Sequence, residues 1–425
     1  MHFFHQKNGR LYVEEISVET LAKKHGTPLY VYSAETILHH YRALQSSFSS
    51  LRHTICYAVK ANSNLAILSL LAKQGAGFDI VSGVELQRVI RAGGTPSKCT
   101  FAGVGKTRAE IEFALKKNIY CFIVESEAEL KHINNIAGRM GKKAPVAVRV
   151  NPNVAADTHH KITTGTYENK FGIVFEKIPA LYARASKLKH LRLRGVQMHI
   201  GSQITSVKPF VLAVKKMLPL VQKLRDQYDL EFFDIGGGLG IVYDPALESG
   251  HLSWWKRQKN PPITSQIFAQ SLAPLLAPLK MRVIIEPGRF MVGNAGILVA
   301  QVLYTKKTDR KNFVIVDAAM NDLIRPAFYG AYHQIVPLKM SRSSKQISID
   351  VVGPICESGD VFCKHRALPL LREGEFLAFM SAGAYGFTMS SNYNSRLRAA
   401  EILAHGKKFR MIRRRETFSD IIRGE

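Results

Sequence analysis

The residues of this sequence that are best suited to chemistry follow short apolar segments. Lys60 comes directly after residues 55–59, in "YAVKANSN", and His199 lies at the end of a later apolar segment, in "HIGSQ". The segment "DIGGGLG" is rich in glycine, and "EPGRF" contains both Glu286 and Arg289. An amine, an imidazole, a carboxylate and a guanidinium at strand ends could together bind and activate a polar ligand.

The glycine-rich segment suggests a bound phosphate. Gly236, Gly237 and Gly238 have no Cβ, so their backbone N–H groups could approach an anion closely. Arg289 follows the next apolar segment and could reach the same phosphate, or a carboxylate in forked geometry. Taken alone, the glycines are equally well explained by a plain strand-to-helix turn.

The remaining groups suit a pyridine ring that carries an aldehyde. Glu286 could keep a pyridine nitrogen protonated, and a pyridinium stabilises a carbanion. His199 could lie flat against that ring, and desolvation of Lys60 would make its amine a nucleophile for a Schiff base. The simpler explanations are a buried paired carboxylate for Glu286, a core histidine for His199 and a lysine at the rim of a barrel for Lys60. Together the groups predict a pyridoxal phosphate site.

The elements that must position these residues alternate between apolar segments and amphipathic ones. Apolar residues recur at three- and four-residue spacing in "GVELQRVIRAG" and "KPFVLAVKKMLPLVQKLRDQY", which predicts helices. Eight strand–helix units predict a (β/α)8 barrel with its chemistry at the carboxyl ends of the strands, and a doubly wound open sheet is the alternative. The strand candidates are residues 55–59, 78–81, 99–102, 121–124, 145–150, 193–200, 232–235 and 282–285.

The pattern changes after residue 290. "GILVAQVLYTKKT", "KNFVIVDAA", "QISIDVVG" and "GEFLAFMSAG" are strand-like and separated by short polar turns, which predicts a C-terminal β domain. Two further strand candidates, "RLYVEE" and "PLYVYS", lie near the N-terminus and are expected to complete that domain. The predicted division is therefore residues 1–35, 36–290 and 291–425.

Composition excludes several functional classes. The 425 residues include 59 Lys+Arg and 33 Asp+Glu, a net charge of +26, but the basic residues are spread along the chain, so nucleic-acid binding is not expected. No segment reaches the roughly 18 apolar residues of a membrane span, and the N-terminus does not resemble a signal peptide. The five cysteines form no CxxC pair, so no metal site is predicted. We expect a cytoplasmic protein.

A family resemblance joins these observations. "YAVKANSN", "FDIVSGVEL", "HIGSQ", "DIGGGLG", "EPGRF", "GPICESGD" and "GAYGFTMSSNYNSR" resemble, in order and spacing, motifs of the fold-type III pyridoxal-phosphate decarboxylases. Within that family the sequence is most similar to the bacterial diaminopimelate decarboxylases. The resemblance implies decarboxylation of meso-2,6-diaminopimelate to L-lysine, the last step of lysine biosynthesis. It also implies a homodimer with active sites at the subunit interface.

The resemblance assigns roles to residues one by one. Lys60 and Cys356 would be catalytic, with Lys60 forming the Schiff base and Cys356 donating a proton from the partner subunit. The residues implied in cofactor binding are Lys60, Asp79, His199, Ser202, Gly236, Gly237, Gly238, Glu286, Pro287, Gly288, Arg289 and Tyr385. Those implied in substrate binding are Arg289, Arg325, Tyr329, Glu357 and Tyr385.

Relatives with other chemistry remain as alternatives. Alanine racemases of this architecture place an arginine where this sequence has Glu286, and relatives of ornithine decarboxylase have an aspartate where it has Glu357. Another basic amino-acid decarboxylase, a carboxynorspermidine decarboxylase or a non-catalytic cofactor-binding homologue stays possible. For single residues, the simpler explanations are a surface loop for Arg325 and Tyr329 and a packing role for Tyr385.

Overall fold

The structure of the chain, a computed structural model, describes residues 1–154, 170–259, 261–340 and 345–425. These residues form two compact units. The β unit consists of Met1–His39, Val242–Pro261 and Met291–Glu425, and the barrel unit consists of His40–Ile241 and Pro262–Phe290. Across the four described ranges, no helix has the length and apolar character needed to cross a membrane.

The strands and helices are numbered in chain order. The strands are β1 (Phe4–Lys7), β2 (Arg10–Val13), β3 (Ile16–Ser17), β4 (Leu29–Ser33), β5 (His53–Ala58), β6 (Gly77–Ile80), β7 (Cys99–Phe101), β8 (Cys121–Val124), β9 (Ala144–Asn151), β10 (Ile173–Val174), β11 (Leu191–Met198), β12 (Phe232–Asp234), β13 (Arg282–Ile285), β14 (Gly296–Lys307), β15 (Asn312–Val316), β16 (Ile335–Pro337), β17 (Gln346–Val352), β18 (Val361–Pro369), β19 (Phe376–Phe379), β20 (Ala400–His405) and β21 (Lys408–Arg413). The helices are α1 (Val18–His25), α2 (Ala34–Ser47), α3 (Leu65–Lys73), α4 (Gly83–Arg91), α5 (Arg108–Lys116), α6 (Glu127–Arg139), α7 (Ile178–Ala185), α8 (Lys208–Tyr228), α9 (Leu252–Lys256), α10 (Ser265–Leu276), α11 (Arg289–Val292), α12 (Arg325–Tyr329) and α13 (Phe418–Ile421).

The barrel unit is built on a closed sheet of eight parallel strands. The order is β5, β6, β7, β8, β9, β11, β12 and β13, and β13 pairs with β5 to close the barrel. The short strand β10 pairs with β9 outside this ring. All eight strand candidates correspond to barrel strands, so the prediction of a (β/α)8 barrel is confirmed and the open-sheet alternative is wrong.

Helix caps fix where each helix begins after its strand. The side chains of Ser82 and Ser126 accept hydrogen bonds from backbone N–H groups in the first turns of α4 and α6. Thr107 and Glu110 form a capping box at the start of α5. Because each cap follows a barrel strand within a few residues, the residues between strand and helix are held at one rim of the barrel.

The β unit contains a three-stranded sheet, β1-β2-β3, and a larger mixed sheet. In the larger sheet β4 pairs antiparallel with β14 and parallel with β20. The N-terminal segment "PLYVYS" therefore supplies an internal strand, and the prediction that N-terminal strands complete the β domain is confirmed. The basic segment "KKFRMIRRR" contains β21, which lies at the edge of the sheet.

The cysteines divide by burial. Cys56, Cys99, Cys121 and Cys363 are buried, while Cys356 is exposed. Burial raises the pKa of Cys99 to about 12, so this thiol is unreactive near neutral pH. Burial likewise raises the pKa of Cys56, Cys121 and Cys363, so Cys356 is the one exposed thiol among the described residues.

Candidate active site

Lys60 lies just beyond the end of β5. The strand ends at Ala58, and residues 59–61 form a single 3-10 turn that the Tyr57 hydroxyl stabilises by donating to the Asn62 carbonyl at 2.9 Å. Lys60 Nζ lies 2.5 Å from Asp79 Oδ2, in the neighbouring strand β6. The Lys60 side chain is 41% exposed and that of Asp79 is 1% exposed. The expected desolvation of Lys60 is therefore wrong, because its amine is solvated and paired with a carboxylate.

Glu286 follows β13 and is buried inside the barrel. Its two carboxylate oxygens accept hydrogen bonds from the Thr100 hydroxyl at 3.0 Å and from the Gln197 amide at 3.1 Å. Thr100 comes from β7 and Gln197 from β11. Three strands thus fix the carboxylate plane with two neutral donors, which add no charge to it.

Buried carboxyl groups cluster around Glu286. Burial, followed by the charge of Asp79, raises the pKa of Glu286 to about 7, while Lys60 acts in the opposite direction. Burial and the neighbouring Glu286 raise the pKa of Asp234 well above its usual range. Asp234 is hydrogen-bonded to the Glu286 side chain, while Asp79 Oδ1 and Gln197 Oε1 are buried and accept no hydrogen bond from the described residues. The cluster therefore has spare acceptors and would be stabilised by a cation.

The glycines after β12 are needed for close backbone contact. Gly236 and Gly238 have φ values of +72° and +104°, which side chains disfavour. A Cβ would lie 2.1 to 2.5 Å from a backbone oxygen at each of three positions, namely Gly236 (Met198 O), Gly237 (Glu286 O) and Gly238 (Gly201 O). Packing against neighbouring strand ends therefore accounts for these glycines even without a phosphate.

His199 is held as a neutral imidazole. Its Nδ1 accepts a hydrogen bond from the Gly237 N–H at 3.2 Å, which requires that this nitrogen carry no proton. Desolvation and the nearby charges of Arg149 and Lys60 lower the pKa of His199 well below its usual range. The proton of the neutral ring is therefore on Nε2.

The segment after β13 joins the same rim. The Pro287 carbonyl accepts a hydrogen bond from the Ala58 N–H at 3.1 Å, so it lies beside the end of β5. Gly288 and Arg289 follow and are buried. Arg289 Nη2 donates to Ser202 Oγ at 3.2 Å, which links the ends of β13 and β11. The barrel unit thus places all of its predicted site residues at the carboxyl ends of its strands.

The other predicted residues belong to the β unit. Arg325 begins α12 and is buried, which excludes the surface-loop explanation for it. Arg325 Nη1 lies 2.8 Å from His333 Nε2, and its guanidinium lies 4.9 Å from the centre of the Tyr243 ring. Tyr329 ends the same helix, and its ring packs edge-on against Phe328.

Cys356 and Glu357 lie in a turn between β17 and β18. The Cys356 N–H donates to Asn394 Oδ1 at 2.9 Å, and Glu357 accepts from the Gly359 N–H at 3.2 Å. Both side chains are exposed within the chain. Tyr385 has a φ of +56°, a left-handed conformation that is unusual for a residue with a ring. The structure therefore gives these residues defined backbone positions in the β unit.

Sequence reasoning missed several residues that position the site. Thr100 and Gln197 are buried polar residues within apolar strand segments, so their pattern could have revealed them. Asp234 had the same signal, because it precedes the glycines as the last residue of β12. His333 lies between α12 and β16 in a segment whose sequence carries no comparable signal. In the portion of the chain that the structure describes, no group of His, Cys, Asp and Glu could hold a metal ion.

A cavity of about 610 Å³ lies at the opposite, amino-terminal end of the barrel. Its lining has five basic and three acidic residues, close to the chain-wide ratio of 59 to 33. Glu231 is paired with Arg192 and Arg194 there. The cavity therefore reflects the overall charge of the chain and does not indicate a second site. Its lining residues are Arg52, Tyr120, Arg194, Arg225, Asp226, Asp229, Leu230, Glu231, Leu279, Lys280, Met281 and Arg282.

Comparisons with known proteins cover the whole chain. The family model described as "Pyridoxal-dependent decarboxylase, pyridoxal binding domain" matches residues 34–293. Diaminopimelate decarboxylase of Vibrio cholerae is 47% identical over 421 residues, which is 99% of this chain and 97% of that protein. Diaminopimelate decarboxylase of Pseudomonas aeruginosa is 46% identical, with 100% and 99% of the two chains covered.

Solved structures of diaminopimelate decarboxylases are similar to this chain over nearly its whole length. The crystal structure of diaminopimelate decarboxylase from Helicobacter pylori, complexed with L-lysine, superimposes with a TM-score of 0.88 at 42% identity, covering 95% of this chain and 98% of that one. The M. jannaschii enzyme in complex with L-lysine gives a TM-score of 0.90 at 36% identity, covering 99% and 96%. With barrel, rim residues and full-length similarity in agreement, the chain belongs to the diaminopimelate decarboxylase family of pyridoxal-dependent decarboxylases.

Proposed function

We propose that the chain decarboxylates meso-2,6-diaminopimelate to L-lysine and CO₂ with pyridoxal 5'-phosphate as its cofactor. The observation that carries this proposal is full-length similarity to diaminopimelate decarboxylases, including one solved with L-lysine. The buried carboxylate Glu286 further supports a decarboxylase, because an anion beside the pyridine nitrogen favours the protonated ring.

The barrel residues fit the cofactor chemically. Lys60 offers a solvated amine to the aldehyde, and the spare acceptor Asp79 Oδ1 makes the carboxyl cluster suitable for a cationic N–H. The neutral His199 ring is suited to lie against an aromatic ring without adding charge to it. When bound, the cofactor supplies an electron sink for the pair released by the departing carboxylate.

Roles for the other barrel residues follow from their contacts. Thr100 and Gln197 hold the Glu286 carboxylate in one orientation, so that it would need no rearrangement to accept from a protonated ring nitrogen. Ser202 and Arg289, with the loop of Gly236, Gly237 and Gly238, would hold the phosphate, although the N–H groups of Gly236 and Gly237 already donate to Asp234 Oδ1 and His199 Nδ1. The Pro287 carbonyl holds the segment after β13 against the end of β5, and Gly288 is assigned to the cofactor beside it.

The distal end of the substrate calls for groups of both signs. Diaminopimelate carries a carboxylate and an ammonium at each end, and one carboxylate remains after decarboxylation. Arg325 would bind that carboxylate, and Glu357 would bind the distal ammonium. Arg289, Tyr329 and Tyr385 are also assigned to substrate binding, and Tyr385 to the cofactor phosphate as well. Arg325 thus distinguishes diaminopimelate from substrates that end in a lone amine.

Proton balance requires a donor once CO₂ has left. The carbon that loses its carboxylate takes up one proton, and Cys356 is the proposed source. The Cys356 thiol is exposed within the chain, consistent with a thiol that completes the site of another subunit. The proposal therefore includes a cytoplasmic homodimer with active sites at the subunit interface. It also keeps the domain division 1–35, 36–290 and 291–425, which differs from the two compact units chiefly in assigning Val242–Pro261 to the barrel.

A substrate panel tests this function. The purified protein with added pyridoxal phosphate is assayed for CO₂ release from meso-diaminopimelate, lysine, ornithine, arginine and carboxynorspermidine. Release from diaminopimelate is expected to exceed the others by about 10⁴-fold, because a substrate without the distal carboxylate leaves a buried guanidinium unsatisfied. Comparable release from ornithine or lysine would contradict the assignment. Sedimentation of the same protein tests the dimer.

A further inference from the structure

The buried Arg325 is held by a chain of hydrogen bonds that ends on the backbone. Arg325 Nη1 lies 2.8 Å from His333 Nε2, and His333 Nδ1 lies 2.8 Å from the Met380 carbonyl oxygen. All of these groups belong to the β unit and are buried. The Tyr243 ring contacts both side chains, at 5.3 Å from the His333 ring and 4.9 Å from the guanidinium.

The direction of these bonds fixes the protonation of His333. A guanidinium has only donors, so Arg325 donates and His333 Nε2 accepts. A carbonyl oxygen only accepts, so Nδ1 carries the proton and donates to Met380. The ring is therefore neutral, with its single proton on Nδ1.

The backbone around His333 is tied down on both sides. The next residue, Gln334, accepts a hydrogen bond from the Met380 N–H at 2.8 Å, just beyond the pairing of β16 with β19. The His333 carbonyl accepts from Arg366 Nη1 at 2.7 Å. The imidazole is thus fixed relative to the sheet, and a group fixed in this way can set the orientation of its partner.

From this geometry we infer that His333 is a positioning residue, which orients the Arg325 guanidinium toward the distal carboxylate of the substrate. This inference rests on the proposed function, and it adds a residue that determines specificity through Arg325. The hydrogen bond from His333 brings no negative charge to the guanidinium. A carboxylate in the same place would orient the arginine equally well but would compete with the carboxylate of the ligand.

Ligand binding to the holoenzyme tests the inference. The probes are L-lysine, which keeps the distal carboxylate, and 1,5-diaminopentane, which has the same amines and no carboxylate. His333→Leu should weaken the binding of L-lysine about ten- to a hundredfold, which is the range for a lost hydrogen bond to a charged group. The affinity for diaminopentane should stay within about twofold of wild type. His333→Gln, which keeps an acceptor, should stay within about threefold of wild type for both.

A charge variant separates orientation from electrostatics. His333→Glu keeps an acceptor beside Arg325 but adds a negative charge that competes with the carboxylate of the ligand. It should therefore weaken the binding of L-lysine at least as much as His333→Leu does. The matched control is His2→Gln, since His2 is buried in the same unit and also bonds a backbone carbonyl, that of Ala246, at 2.8 Å. Its other nitrogen accepts from the Phe4 N–H and not from an arginine.

Two results would overturn the inference. One is equal weakening of L-lysine and diaminopentane in His333→Leu, and the other is the same loss in His2→Gln, because either indicates a general structural effect. If wild type neither binds L-lysine nor releases CO₂ from diaminopimelate, the proposed function fails instead. Nitrogen-15 NMR of histidine-labelled protein then decides the positioning on its own, and a His333 ring protonated on Nε2 would refute it.

Discussion

Lys60 Nζ lies 2.5 Å from Asp79 Oδ2, and this ion pair joins the ends of the neighbouring strands β5 and β6. The pair is asymmetric, since Lys60 is 41% exposed while Asp79 is 1% exposed. Asp79 is therefore held inside the barrel, whereas the partly exposed Lys60 side chain can turn from it to another partner. An amine placed in this way is accessible to an incoming aldehyde.

Replacement of Lys60 should abolish cofactor attachment. Lys60→Ala removes the amine that would bond the aldehyde, so the visible absorbance of covalently bound cofactor should disappear, and with it nearly all CO₂ release. Absorbance spectra of the purified protein and a CO₂ assay measure both effects. The control is Lys98→Ala, an exposed lysine whose Nζ donates to the Gly75 carbonyl at the other end of the barrel. Normal turnover by Lys60→Ala would refute the proposed mechanism.

Glu286 should make the cofactor-free protein less stable as the pH rises. The pKa of Glu286 is about 7 in the folded state, against 4.5 for a free glutamate. Between these values the folded state holds a proton that the unfolded state has released, so the free energy of unfolding falls as pH increases from about 4.5 to 7. The lost stability is on the order of 2 to 3 kcal/mol.

Glu286→Gln should reduce this pH dependence, because glutamine does not titrate, and the slope that remains comes from the raised pKa of Asp234. Gln197 can turn its amide to accept from the new side chain, since Gln197 Oε1 makes no hydrogen bond within the described residues. Urea unfolding of cofactor-free protein at pH 5, 6, 7 and 8 measures the slope. Glu127→Gln on the surface is the control and should retain it. An unchanged slope in Glu286→Gln would show that Glu286 is not the titrating group.

The barrel could be predicted because its strands carry a local signal. β8 is apolar and buried at all four positions, and its neighbours β7 and β9 are buried at all but one position, so these strands stand out from the capped helices around them. The site follows in part from this architecture, since residues after parallel strands meet at one rim. The order of motifs along the chain then indicated the family, which the comparisons confirm.

The contacts that orient the site residues could not be predicted in this way. Thr100 and Glu286 are 186 residues apart in the chain, and His333 and Met380 are 47 apart, so no local pattern joins them. The exposure of Lys60 was likewise misjudged, because it depends on a turn and a carboxylate in different elements. The individual roles assigned to the site residues stay predictions.

The glycine loop should tolerate no side chain at Gly237. A Cβ there would lie 2.1 Å from the Glu286 carbonyl oxygen, directly after β13, so the backbone would have to shift. Gly237→Ala should lower the free energy of unfolding by about 1 to 3 kcal/mol, in the range of overpacked core sites. Urea unfolding measures the loss. Gly105→Ala is the control, because its Cβ would meet nothing within 4 Å. Equal stability of the two variants would contradict the backbone contact.

Arg325 should affect the substrate far more than the cofactor. Arg325→Ala removes the proposed partner of the distal carboxylate, so KM for diaminopimelate should rise about a hundredfold or more, in line with loss of a charge-assisted hydrogen bond at a buried site. The dissociation constant for pyridoxal phosphate, measured by absorbance, should change little. Arg310→Ala, at an exposed turn of the same unit, is the matched control. Equal losses of substrate and cofactor affinity in Arg325→Ala would instead assign this arginine to the stability of the β unit, because a buried cation that merely holds the fold has no reason to distinguish the two ligands.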